Sequence, residues 1–455
     1  MKTLNSYKIV LLVSSVVFFS ACKKFLDEKP NISLEIPSSA SDLQALLNNV
    51  TVLNAGNTCM PEIASDDYYL QYAPWTSLST FDAMNYVWDS NTADNNTWAT
   101  SYKSVLLANT VLDNLNSVSL ENSSTSELSN IKGQALFFRA FTFYNLAQVY
   151  AKAYNAQTAN TDLGICLKLT SSVTASSKRA TVQETYGQII NDLKEAANLL
   201  PTIVQFSTTP SKQAAFALLA RTYLATSDYE NAESYSDQCL KLQNSLMDFN
   251  TLNASSSLPI PRFNPETIYE AYSGAGDADI SSRRALIDTL LFQSYINNDL
   301  RRVIFFKYNS TLGGYNFTGS YVGMVSTSPF DGLATDEMYL IRSECEARLG
   351  DVKSALTDLN TLLKKRWLTG TYTDYTSSNV ANPLSLILSE RRKELVWRCT
   401  RWTDLKRLNQ DPSFAVTIIR NLNGTLYTLP PNDLRYTFLI PGNVVTLGGI
   451  QQNPR

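Results

Sequence analysis

The chain has 455 residues, 44% of them apolar and 17% charged, enough apolar material to bury a large core and to exclude a disordered chain. Its formal net charge of −3 gives no electrostatic footprint for a nucleic-acid partner. It contains no histidine, which excludes Ser-His-Asp and Cys-His triads, imidazole metal sites and histidine general bases, so that any catalysis would rest on carboxylates, Lys, Tyr or Cys.

Residues 1–22 read as a lipoprotein signal peptide. Lys2 and Lys8 lie ahead of an eleven-residue apolar run, 9–19, interrupted only by Ser14 and Ser15. Such a run spans about half of a ~30 Å bilayer core, too little for a transmembrane anchor. It ends in Phe-Ser-Ala-Cys at Cys22, which resembles a bacterial lipobox. Cys22 is therefore expected to be the lipidated first residue of the mature chain, tethering it to a membrane without a spanning helix. The other cysteines, Cys59, Cys166, Cys239, Cys345 and Cys399, are odd in number and form no CxxC pair, so they are expected to serve as small hydrophobes.

Residues 23–455 form one further unit. A tether over 32–55 contains a short helix at 41–49. Helical spacing returns at 98–116, with Tyr102, Leu106, Asn109 and Leu112 on one face. The next helix, 131–150, is the most apolar. Its polar residues recur at Arg139, Thr142, Asn145 and Gln148, a band over half the circumference that leaves the other half for burial and marks this helix as central. The helix over 181–200 begins with a capping box, Thr181 and Glu184, and stops at Pro201. Helices at 212–226 and 229–243 are joined by Ser227-Asp228, with Ala220 and Ala232 where two antiparallel helices come close. The same pattern recurs 123 positions later, where Ser343, Gly350, Asp351 and Ala355 stand at identical spacing within helices at 336–350 and 352–366. A small residue, a tight turn with Asp, then Ala is the tetratricopeptide pattern, in which each hairpin hides its apolar face only by stacking on another. The fold class is therefore mainly α, with tetratricopeptide-like hairpins over about 98–243 and 335–409. Residues 55–97, 244–334 and 410–455 are loop-rich. From 244 to 334 Gly, Ser, Asn, Pro and aromatics dominate, as in 273–277 and Gly313-Gly314-Tyr315-Asn316-Phe317. That stretch is too long for a connector and is a candidate functional surface.

Several segments together resemble one family. They are Lys23-Lys-Phe-Leu-Asp27 after the lipobox, Ala64-Ser-Asp-Asp67, Trp98 with Tyr102 and Asn109, and Lys178-Arg-Ala-Thr181 ahead of Tyr186-Gly-Gln-Ile-Ile-Asn-Asp-Leu193. Glu390-Arg-Arg-Lys-Glu394 followed by Arg401-Trp-Thr-Asp-Leu405 and the ending Ile440-Pro441 to Gln452-Asn-Pro454 complete the set. In this order they are similar to SusD/RagB nutrient-binding outer-membrane lipoproteins, from Cys22 to the C-terminus. The resemblance implies a helical cell-surface lipoprotein that caps a SusC-like TonB-dependent β-barrel transporter and binds oligosaccharides or peptides for import. Where relatives carry an acidic residue, glycine and often histidine between the positions of Glu394 and Arg401, this chain has Arg398, Cys399 and Thr400, which implies a helix continuing through them.

Sugar rings pack a C–H face on aromatic faces and need Asp, Asn or Arg for their hydroxyls. Two groups fit: an early aromatic loop with Asp66, Asp67, Tyr69, Tyr72 and Trp75, and, in the insertion, Tyr272, Tyr308, Tyr315, Phe317 and Tyr321. Trp88 and Trp98 read as core. Glu390 and Glu394 lie one helical turn apart, as a catalytic carboxylate pair would. The surrounding arginines instead favour ion pairs, with Glu394–Arg398 and Arg401–Asp404 at helical spacing. Asp66-Asp67 lacks the alternating oxygens of a calcium loop. The expectation is a binding protein with no catalytic residue, metal or cofactor; a carboxylate glycoside hydrolase and a pure scaffold are the alternatives.

Overall fold

The computed structural model describes residues 37–93, 95–118, 124–273, 279–323 and 328–455. Cys22 and most of the stretch 273–277 lie outside the described residues. The main helices are α1 (Ala40–Leu47), α2 (Asn95–Asn114), α3 (Thr125–Tyr150), α4 (Val182–Leu199) and α5 (Lys212–Ala225). They are followed by α6 (Tyr229–Leu242), α7 (Thr335–Leu349), α8 (Val352–Leu363), α9 (Pro383–Glu394) and α10 (Arg401–Leu408). From α2 to α8 each helix packs on the next, and α9 returns to α7. The chain leaves this stack after α6, runs through the insertion, and re-enters so that α7 lies directly on α6.

Local sequence sets the helix starts. The Thr181 hydroxyl accepts from the Glu184 amide at 3.1 Å, while the Glu184 carboxylate accepts from the Thr181 amide at 2.8 Å, the reciprocal capping box expected. Asp228 and Asp351 cap α6 and α8 in the same way, each accepting from the amide three residues on. The repeat also has a geometric basis. Both hairpin turns require a left-handed residue, Ser227 at φ 59° and Gly350 at φ 95°. Serine bears a penalty there of about 1–2 kcal/mol that glycine avoids. At the crossings, Ala220 and Ala232 are wholly buried, and the Ser343 hydroxyl donates to the Ala355 carbonyl at 2.7 Å.

The α3 helix is central, but its polar band is not a solvent face. Arg139, Thr142 and Gln148 are all buried. Arg139 binds both carboxylate oxygens of Asp192 on α4 at 2.8 Å and donates to Asn109 on α2 at 3.0 Å. Asn145 donates to Asp331, and Gln148 to the Tyr186 hydroxyl. The polar band is thus satisfied by partners on α2, α4 and the segment before α7, because other elements cover α3 on both sides.

Short strands hold the loop-rich regions: β1 (Tyr68–Leu70), β2 (Ala285–Ile287), β3 (Phe306–Asn309), β4 (Gly314–Phe317), β5 (Ile418–Leu422) and β6 (Thr425–Leu429). β1 pairs antiparallel with β2, placing Tyr69 opposite Leu286. β3 and β4 form a hairpin with Tyr308 opposite Tyr315, and β5 and β6 form another. Residues 410–455, expected to be loop-rich, hold this last hairpin and a short helix, Gly442–Gly448. The hairpin signal was Asn423-Gly424, both at positive φ as a two-residue turn demands.

Helix does not continue through 395–400. Trp397 and Cys399 take positive φ, 62° and 55°, and break the chain between α9 and α10. The cost of two left-handed non-glycine residues is offset by packing. The Trp397 ring stacks on Phe317 at 5.4 Å and 17°, and the Cys399 amide donates to Glu62. The five cysteines from Cys59 onward are all buried, as expected of small hydrophobes.

Because Ala232 sits where two helices touch, Ala232→Leu should overpack the crossing and cost about 1–3 kcal/mol, lowering the melting temperature. A variant that unfolds with the parent would put Ala232 outside the contact.

Candidate ligand-binding site

The early loop is fixed from beneath by arginines of the C-terminal region. Arg401 binds both oxygens of Asp66 at 2.6 and 2.9 Å. Arg392 lies 3.2 Å from Asp66 and 3.4 Å from Asp67. Arg420, on β5, donates to the carbonyls of Ile63, Ser65 and Tyr86, and its guanidinium lies 3.5 Å from the Tyr86 ring centre and 4.4 Å from that of Trp88. Asp66 and Asp67 are therefore structural anchors and not hydroxyl-binding groups, a correction to the sequence expectation. Burial alone would raise both carboxyls. The Arg401 and Arg392 guanidiniums outweigh it at Asp66, holding that group well below the usual carboxylate range. At Asp67 burial prevails and pushes the carboxyl up to about 6.

Anchored in this way, the loop presents its rings outward beside the insertion. Tyr72 is 48% exposed and lies 5.9 Å from Trp75, centre to centre; Trp75 lies 6.2 Å from Tyr427 on β6. The Trp75 indole N–H donates to the Ala83 carbonyl, which fixes the half-buried ring. The β1–β2 pairing and a 2.8 Å hydrogen bond from the Gln71 amide to the Leu312 carbonyl join this loop to the β3–β4 hairpin. There Tyr308, 61% exposed, meets Tyr315 at 5.4 Å, and Tyr315 stacks on Phe292 at 3.7 Å. The two aromatic groups singled out in the sequence thus lie along one connected rim.

Not every expected residue joins it. Tyr321 is only 2% exposed; its hydroxyl donates to Glu266 at 2.6 Å and lies 3.2 Å from Asp336, with the Arg398 guanidinium over its ring. It belongs to the interior, a second correction. Tyr272 is half-buried in a bridge to Phe330, its amide donating to the Asn54 carbonyl. Trp88 and Trp98 are buried, as expected of core residues.

Glu390 and Glu394 are bound by arginines, but not the expected ones. Glu390 accepts from Arg301 at 2.5 Å, and Glu394 bridges Arg301 at 3.0 Å and Arg366 at 2.6 Å. Arg398 turns instead to Asp336, and Asp404 pairs with Arg391 and Arg407. The break at 395–400 removes the helical spacing between Glu394 and Arg398, while Arg401, in the same helix as Asp404, is drawn to Asp66 instead. Among the described residues, no cluster of three or more Cys, Asp or Glu suits a metal ion, and no helix is long and apolar enough to cross a membrane.

Sequence reasoning missed Tyr427, which the Asn423-Gly424 turn signal could have found. It also missed Trp397, for which no sequence signal existed. Trp397 and Phe317 line a cavity of about 700 Å³ beside the hairpin, bounded by residues 255–258 and 280–285. A second cavity, of about 610 Å³, lies between residues 152–163, the end of α10 and residues 432–437.

Two family profiles match the sequence: one described as starch-binding associating with outer membrane, over residues 24–224, and one of the SusD family, over residues 334–436. The chain belongs to the SusD/RagB family. A SusD-like protein of Formosa agariphila is 33% identical over 136 residues, 30% of this chain and only 25% of that relative's length. A SusD superfamily structure from Bacteroides thetaiotaomicron has a TM-score of 0.75 at 21% identity, covering 92% of this chain and 100% of that one. One from Bacteroides vulgatus has a TM-score of 0.76 at 19% identity, covering 92% and 99%. A SusD-like carbohydrate binding protein from Bacteroides vulgatus has 0.69 at 20%, covering 90% and 97%. At these identities the likeness to solved structures establishes the SusD fold.

The two aspartates of the SusD-fold anchor loop should respond oppositely to pH. The folded pKa of Asp66 lies below its unfolded value of about 3.9, so its stabilisation is present above about pH 4 and is lost as pH falls through the folded value. Asp66→Asn, by stranding Arg401, should cost about 3–5 kcal/mol at pH 7 and less in acid. Asp67, raised to about 6, holds its proton longer in the fold and loses stabilisation as pH rises from about 4 to about 6. Asp67→Asn should therefore gain on the parent across that window. Urea unfolding at a series of pH values checks both signs, and parallel curves for the two variants would contradict the assignment.

Proposed function

We infer that the protein is a carbohydrate-binding lipoprotein of the outer-membrane surface that captures oligosaccharide on its aromatic rim and passes it, unaltered, to a SusC-like TonB-dependent transporter. The observation that carries this reading is the rim itself. Tyr72 and Tyr308 are exposed, with Trp75 and Tyr427 half-buried beside the first and Tyr315 beside the second, rings of the kind on which sugar C–H faces pack. Tyr69, on the paired strand between them, belongs to the same rim, and Tyr272 is an outlying candidate. The profile described as starch-binding supports carbohydrate over peptide. The carboxylates best spaced for hydrolysis, Glu390 and Glu394, are engaged by buried arginines, which supports binding without turnover. Lipidation at Cys22 rests on the lipobox-like ending of residues 1–22, and the transporter partnership on the resemblance to the SusD/RagB family.

An aromatic anchor in a ligand site commonly contributes about 2 kcal/mol or more, which is roughly thirtyfold in affinity. Trp75→Ala should weaken the tightest-binding oligosaccharide of a glycan array about thirtyfold by calorimetry, with Tyr308→Ala as the variant least able to disturb folding. Unchanged affinity in both would remove the rim as the site, tight binding of peptides alone would replace the ligand class, and cleavage products would overturn the binding reading. Cys22→Ala should release the chain from carbonate-washed membranes; retention would refute the lipid anchor.

A further inference from the structure

The cavity of about 700 Å³ beside the rim is of the size that small-molecule sites occupy. Its described lining is basic. Arg283, Arg284 and Lys307 line it, and none of its described lining residues is an aspartate or glutamate. Many arginines elsewhere are consumed in pairs: Arg139, Arg221, Arg301, Arg366, Arg391, Arg401 and Arg407 each lie within 3 Å of a carboxylate oxygen, and Arg420 is instead enclosed by backbone carbonyls and aromatic rings. Among the described residues, the three cations of this cavity have no ion-pair partner. Arg284 reaches only the Ser77 hydroxyl, at 3.2 Å, and Lys307 only the Ala254 carbonyl. The described lining thus carries three cations and no carboxylate, in a chain of net charge −3.

The rest of the lining suits a sugar. Phe317, stacked on Trp397, supplies an apolar wall, and Thr318, Ser320 and the 255–257 serines supply hydroxyls. The Arg284–Ser77 contact joins the cavity to the loop that carries Trp75, so that one chain of sugars can engage both. We propose that this cavity receives an acidic unit of the oligosaccharide, with its carboxylate or sulfate held by Arg283, Arg284 and Lys307 and its ring against the Phe317–Trp397 wall. Guanidinium forks match both oxyanions, and hydrogen bonds to charged partners are about twice as strong as neutral ones. The inference rests on the glycan-binding reading above and narrows it to acidic glycans.

The test is calorimetry of the full chain with oligogalacturonate, sulfated carrageenan oligosaccharide, neutral malto- and xylo-oligosaccharides, and oligoglutamate, each at low and high NaCl. An acidic sugar should bind at least about tenfold more tightly than the neutral ones and weaken as salt rises. Whether oligogalacturonate or carrageenan binds distinguishes carboxylate from sulfate. Arg283→Gln and Lys307→Met should each lower that affinity about tenfold, with Arg284→Gln as the alternative if Lys307→Met fails to fold. Neutral sugars binding as tightly as acidic ones, with no effect of the variants, would overturn the acidic specificity and leave glycan binding standing. Oligoglutamate binding without any sugar would overturn both readings, and failure of both acidic sugars would overturn this one.

Discussion

A lattice of buried guanidinium–carboxylate pairs holds the parts of this molecule in register. Arg301 and Arg366 are completely enclosed, and Glu394 joins them. Arg366 reaches on to Glu266 and Arg301 to Asp299, both in the insertion, while Arg407 binds Glu344 on α7 and Arg401 binds Asp66 in the early loop. Ion pairs removed from water contribute little net stability, because desolvation nearly cancels attraction, yet losing one partner is costly. Their effect is therefore on geometry: a misplaced insertion or loop would strand charges in the interior, and only one arrangement pairs them all.

The binding surface inherits that constraint. Tyr72 and Trp75 follow directly on the strand that begins after Asp67, and Tyr308 and Tyr315 stand on a hairpin whose base packs against Trp397 at the break between α9 and α10. Rings on elements clamped from beneath lose little further freedom when a ligand arrives, which lowers the entropic cost of binding. The left-handed Trp397 and Cys399 fit the same picture: strained backbone persists where surrounding contacts over-determine it, here beside a cavity.

The helical half was largely legible in the sequence. Caps at Thr181, Asp228 and Asp351 act through neighbours three residues away, and the Ala220/Ala232 and Ser343/Ala355 spacing is a local record of close packing. What failed depended on contacts between distant residues. Nothing near Asp66 in sequence announces Arg401, so an interior anchor resembled a ligand group, and Tyr321 looked exposed because Glu266 and Asp336 are remote in the chain. Glu394 was assigned to Arg398 on an assumption of continuous helix, which two positive φ values break. Periodicity shows the polar band of α3 but cannot distinguish a solvent face from contact with a second polar helix, which is what Asp192 supplies.

The most direct test of the account is a crystal structure of the protein with a bound oligosaccharide. The account predicts sugar rings in van der Waals contact with Tyr72 and Trp75 or with Tyr308 and Tyr315, with Asp66 still clasped by Arg401. An oligosaccharide held instead in the cavity between residues 152–163 and 432–437, with the aromatic rim bare, would contradict it.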